Sequence, residues 1–94
     1  MRLRWLRKAL NNLDQEAAYI AADDPGAARL VVMRVLEAVE MLAEQPALGR
    51  PGRVHGTREL VVLGTRYIVP YRVRSETVEI LRVFHTSRRL PSKW

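Results

Sequence analysis

Hydrophobic residues return at three- and four-residue steps from Leu6 to Leu42, then at alternate positions through much of Thr57–Phe84. A period near 3.6 buries one stripe of a helix, and a period of two buries one face of a strand. The chain must therefore fold a helical half against a strand half. At 94 residues the two halves have to share one core, which predicts a single domain over 1–94. Cysteine is absent, so neither a disulfide nor a thiolate-held metal can supplement packing.

Arg2–Trp5 alternates and reads as a short first strand. Leu6, Ala9, Leu10, Leu13, Ala17, Ile20 and Ala21 then form a helical stripe. Asp24-Pro25 marks the break: proline pushes Asp24 to an extended conformation, where its carboxylate can cap a second helix that begins at Pro25. Ala28, Val32, Val35, Val39 and Leu42 give that helix its core stripe, and Gln45-Pro46 and Leu48-Gly49 end it. Arg50–Arg53 reads as a loop. Three β-rich runs follow, Thr57–Leu63, Arg66–Val73 and Thr77–Phe84, spaced as a hairpin meander. Pro70 cannot donate to a ladder and must lie at an edge or a bulge. The expected fold is α+β: an N-terminal strand and an antiparallel helical hairpin packed on one face of a three- to four-stranded antiparallel sheet. Residues 85–94 are expected to lie beyond the sheet.

The formal charge is +6, but residues 1–47 hold six Lys/Arg against seven acids, and residues 48–94 hold ten against three. Fourteen of the sixteen cations are arginine, whose planar fork suits carboxylate or phosphate. A GC-rich genome would explain arginine in place of lysine, but not its gathering into one half. The longest apolar run is only a few residues, far below the roughly 20 of a membrane helix. Asn11, Asn12 and Asp14 interrupt any signal-peptide core. A cytoplasmic protein without membrane contact is expected.

Few residues can carry chemistry. His55 and His85 lack metal-ligand spacing, no phosphate-binding glycine loop is present, and Ser75 and Ser87 have no convincing base. Neither metal nor cofactor is expected. Metal-free RNA cleavage needs a base, an acid and a cation for the phosphorane; Arg58, Glu59, Arg82 and His85 are residues of those kinds. The competing explanation is that Arg58 and Arg82 snorkel or pair with Glu59 and Glu79, leaving His85 as an exposed strand end. The second helix carries more apolar surface (Leu30, Val31, Met33, Leu36, Met41) than one sheet face should absorb, which suits a partner's helix.

Pro46–Arg53, Gly56–Leu60, Tyr67–Val73 and Ile80–His85 with Arg88 and Pro91, together with Ala9, Leu13, Tyr19-Ile20, Pro25 and Ala27-Ala28, closely resemble the RelE/ParE superfamily. These are toxins of type II toxin–antitoxin modules, also described as plasmid stabilisation proteins. The resemblance spans essentially the whole chain. It implies a growth-inhibiting toxin silenced by a cognate antitoxin, whose acidic, partly disordered C-terminal segment folds as it binds. Leu30, Val31, Met33, Met41 and Arg72 are the residues expected to meet that antitoxin. RelE-like members cut mRNA on the ribosome, whereas ParE-like members poison DNA gyrase. The RelE-like arginine of the third strand falls here at Ile68, which cannot stabilise phosphorane charge. Basic residues after the last strand are replaced by Thr86 and Ser87. The ParE-like branch is therefore favoured, with no catalytic residues, and with Arg50, Arg53, Arg58, Arg82, His85, Arg88 and Arg89 meeting gyrase or its DNA. The alternative is a ribosome-dependent mRNA endonuclease that uses Arg58, Arg82 and His85.

Overall fold

A computed structural model describes residues 1–94. The chain runs β1 (Arg2–Trp5), α1 (Arg7–Ala21), α2 (Pro25–Glu40), a 3-10 turn (Met41–Ala43), β2 (Arg50–Pro51), β3 (Arg58–Val62), β4 (Tyr67–Arg74), β5 (Thr77–Ile80) and β6 (Phe84–His85). Both helices form where the apolar stripes predict. Asp24 is extended (φ −150°) and its side chain accepts from the Ala27 N–H at 3.0 Å, with Pro25 at the first helical position. No helix is long and apolar enough to cross a membrane.

The helices pack on one face of a sheet ordered β1-β5-β4-β3-β2, with β6 continuing along β4 beyond the end of β5. The sheet differs from the expected one in strand direction and in number, since Thr77–Phe84 also breaks into β5 and the start of β6. First, β1 enters the sheet by pairing parallel to β5, because both helices intervene before the chain returns to it. Second, Arg50-Pro51, expected as loop, forms a two-residue edge strand against Arg58 and Glu59; proline is tolerated there because an edge has one unpaired side.

Alternation assigns the two sheet faces. Leu60, Val62, Tyr67, Val69, Tyr71, Val78 and Ile80 point into the core with Ala9, Leu13, Val35, Val39 and Leu42 from the helical half. The fully buried Tyr71 fastens the core to the Pro46–Gly49 segment. Its hydroxyl donates to the Pro46 carbonyl at 2.7 Å and accepts from the Gly49 N–H at 2.8 Å. A Cβ at Gly49 would lie 2.6 Å from that ring, so only glycine permits the approach.

Pro70 lies in the central strand, yet at the one place where a donor is dispensable. Leu81–Val83 opposes only Val69 and Pro70, a bulge of one extra residue between β5 and β6. The Pro70 carbonyl still accepts from the Leu81 N–H at 2.9 Å. The C-terminal segment, expected to lie beyond the sheet, stays against it, and His85 pairs within β6. It turns back until Trp94 packs beside Phe84, on the face opposite the helices.

The β4–β5 hairpin closes through Ser75 and Glu76, both at positive φ (52° and 57°), in a two-residue loop that favours Asn-Gly. Left-handed backbone is unfavourable for a residue with a Cβ. Glu76→Gly should therefore raise the unfolding free energy by about 1 kcal/mol in urea titration; an equal or lower value would mean that the turn stores no such strain.

Candidate functional site

The face opposite the helices is built from three cross-strand rows. Arg50, Glu59 and Pro70 form the first, Arg72, Glu79 and Arg4 the second, and Arg74, Thr77 and Arg2 the third. Arg53 joins the first row from the loop after β2. Glu59 is 2% exposed and accepts from Arg53 Nε at 3.0 Å, the Arg53 N–H at 2.9 Å and Arg50 Nη2 at 3.3 Å. Glu79 is 5% exposed; Arg72 Nε donates to it at 2.6 Å, with Arg74 at 3.5 Å and Arg4 at 3.9 Å. Six arginines share this face with two carboxylates, which leaves it strongly cationic.

The carboxylates are poised accordingly. Burial alone would raise the pKa of Glu59, but the hydrogen bonds and charge of Arg53, with the hydrogen bond of Arg50, outweigh it and hold the group below its ordinary value of 4.5. For Glu79 the hydrogen bond from Arg72 dominates, exceeds the opposing effect of burial and lowers the pKa likewise.

The seven residues expected to meet the target do not form one surface. Arg50 and Arg53 lie on the arginine face. Arg58 pairs with Tyr71 in register, so it belongs to the helix-bearing face, where its guanidinium donates to the Gly49 carbonyl at 2.8 Å. Arg82, in the bulge, donates to Asn12 Oδ1 of α1 at 2.8 Å. Arg88 is ion-paired with Glu16, and Arg89 is exposed. His85 pairs with Tyr67, four residues along β4 from the partner of Arg58 and on the other side of that strand, so about 16 Å separates their backbones. Arg58, Arg82 and His85 therefore do not converge as an acid–base set.

Around His85 a second polar cluster closes the other end of the sheet. Its ring stands edge-on to Tyr67 at 5.1 Å, and its Nδ1 accepts from the Ser87 N–H at 3.1 Å. The Tyr67 hydroxyl donates to the buried Glu16 at 2.9 Å. Burial, then that carboxylate, pushes the phenol up to about 12. The Glu16 hydrogen bond also raises the pKa of Arg88. Glu16 lay outside the sequence expectations because a lone carboxylate on a helical stripe looks solvent-facing until Tyr67 and Arg88 are placed beside it.

Leu30, Met33 and Met41 are 50%, 55% and 50% exposed and line a groove of about 720 Å³ between α2 and β3. Val31 differs: it is half-buried and packs against the core. Arg72 also departs from this set, because it lies on the opposite face of the sheet. The groove's other wall is Leu60–Leu63, where β3 runs beyond β2 and has no strand on its outer side. Arg4 and Arg74 were absent from the expected site. Their signal was the alternation Arg2/Arg4 and Arg72/Arg74, which puts each pair on one face of its strand.

Because both glutamates have lowered pKa values in the folded state, their stabilisation is complete above about pH 4.5 and is lost as pH falls through the folded values. Glu59→Gln with Glu79→Gln should flatten the acid limb of stability measured by denaturation between pH 5 and about pH 2. An acid limb identical to the parent's would show that these pairs do not govern it.

Comparison with known proteins is consistent across sequence and structure. Residues 3–90 match the family described as ParE toxin of type II toxin-antitoxin system, parDE. The protein Y4kP of Sinorhizobium fredii is 53% identical over 90 residues, covering 96% of this chain and 93% of the relative. Toxin RelE2 of Caulobacter vibrioides is 36% identical over 84 residues, covering 89% and 93%. A chain in the chromosomal ParDE toxin–antitoxin system of P. aeruginosa superposes with TM-score 0.80 at 32% identity, covering 90% of this chain and 95% of that one. One in the RelBE2 toxin–antitoxin complex of Mycobacterium tuberculosis gives 0.65 at 29%, covering 89% and 95%. With nearly its whole length matched, the chain belongs to the ParE toxin family of type II toxin–antitoxin systems.

Proposed function

We propose that this toxin acts by binding rather than by catalysis, that DNA gyrase engaged on DNA is its target, and that its antitoxin occupies the α2–β3 groove. The observation that carries the reading is the arginine face. Six guanidiniums are arranged around two buried carboxylates that hold several of them in place without neutralising them. Such a surface suits the phosphate backbone of a DNA segment held by its enzyme. Docking there would trap the cleaved-DNA intermediate.

RNA cleavage is the alternative, and relatives named for both toxin types exist. Against it stand the separation of Arg58, Arg82 and His85 and the buried Ile68 at the position of the RelE-like arginine. A phosphorane needs its cation and its acid–base groups on one side of a single nucleotide.

The solved relatives are toxin–antitoxin systems, which supports a protein partner for the groove. An amphipathic segment can set apolar side chains between Leu30, Met33 and Met41 and extend along the free edge of Leu60–Leu63. Its acidic residues would meet Arg34 and Arg50 at the groove rim.

Purified toxin should convert supercoiled plasmid to linear DNA in the presence of gyrase, and should leave mRNA intact on programmed ribosomes. Arg72→Ala with Arg74→Ala should weaken gyrase poisoning at least tenfold. Met33→Asp should spare poisoning while loosening the antitoxin by a similar factor. Ribosomal A-site cuts that disappear in His85→Ala would replace this reading with the nuclease.

A further inference from the structure

The arginine face also carries a stacked column that ion pairing does not explain. The Arg82 guanidinium lies 4.6 Å from the Phe84 ring centroid, the Phe84 and Trp94 centroids are 5.6 Å apart with planes tilted by 34°, and the Arg53 guanidinium lies 5.7 Å from the Trp94 ring. The indole Nε1–H donates to Thr57 Oγ1 at 3.2 Å, and Arg82 donates to the Trp94 carbonyl oxygen at 3.3 Å. Trp94 thus sits between an aromatic ring and a guanidinium, with a hydroxyl receiving its ring N–H.

A purine meets the same requirements. It is a planar fused five- and six-membered ring system with N–H groups at its rim. Single-stranded nucleic acids are recognised by stacking unpaired bases on aromatic and guanidinium planes and by hydrogen bonds to base edges. Beside the indole lies a cavity of about 410 Å³ whose lining includes His55, Thr57, Arg72 and Arg74. It gives a sugar-phosphate a cationic place adjoining the stack. Trp94 itself is only half-buried and follows a segment without helix or strand.

We infer that the Phe84–Arg53 slot is a nucleobase site, occupied in the free protein by the chain's own Trp94, and that an unpaired purine displaces the indole. Release of the indole also frees the Arg53 guanidinium from its contact with the ring. The inference rests on the arginine face meeting nucleic acid, but it does not depend on gyrase being the target.

The test uses the full chain carrying Trp5→Phe, so that Trp94 is the sole indole. Labelled octamers of deoxyadenylate and of adenylate are titrated by anisotropy while tryptophan emission is followed, with a duplex of the same length in parallel. Trp94 emission should change saturably with the octamers and not with the duplex. Comparing the two octamers shows whether the sugar matters. Trp94→Ala should bind the octamers at least fivefold tighter, because the internal competitor is gone, and Phe84→Leu should weaken them at least fivefold.

Absence of octamer binding, constant emission at saturation, or unchanged or weaker binding by a normally folded Trp94→Ala would each overturn the inference. Should that variant unfold, the emission titration decides alone. Gyrase poisoning without octamer binding would remove this inference only, whereas octamer binding without poisoning would remove only the target.

Discussion

Two buried carboxylates organise the cationic face of this molecule. Glu59 and Glu79 sit in neighbouring rows of the sheet, and each gathers arginines from different strands or loops. Burying such charges does not by itself stabilise a fold, since desolvation offsets much of the Coulomb attraction. Their effect here is positional. Arginine on a bare strand would sweep a wide cone of solvent, whereas Arg53 and Arg72 are fixed by short hydrogen bonds. With more guanidiniums than carboxylates, the order is obtained while a positive field remains.

The sheet separates two tasks by the parity of its residues. Odd positions in β4 (Tyr67, Val69, Tyr71) face the helices and form the core, while even positions (Ile68, Pro70, Arg72, Arg74) face the arginine side. The α2–β3 groove lies at the sheet margin, with Glu59 and Arg50 lining both it and the cationic face. A partner in the groove would therefore sit beside the cationic face without having to cover it. That arrangement offers a route by which an antitoxin silences the toxin: electrostatic competition at the shared rim.

Much of the fold was legible because local signals agreed with tertiary demand. Asp24-Pro25 marked the helix boundary, and the period switch after Gly49 marked the start of the β half. The exposed apolar remainder of α2 and the turn after it was legible too, since Leu30, Met33 and Met41 exceed what one stripe can bury. What escaped depended on pairing. Nothing local says that β1 lies parallel to β5, or that Arg50-Pro51 pairs rather than loops. Register decides which arginines share a face, and it puts Arg58 on the helix-bearing side and Arg72 on the opposite one. The bulge at Leu81–Val83 hid the place made for Pro70. The return of Trp94 was invisible because a lone terminal tryptophan has no period.

Phosphate contact by the arginine face is tested most directly by the salt dependence of duplex DNA binding by the isolated toxin. Each neutralised phosphate contributes about −0.9 to the slope of log affinity against log salt concentration. Between about 50 and 200 mM salt, three to five contacts predict a slope of about −2.7 to −4.5, with Arg72→Ala plus Arg74→Ala flattening it by roughly two contacts. A slope near zero, or one unmoved by that double change, would contradict the claim.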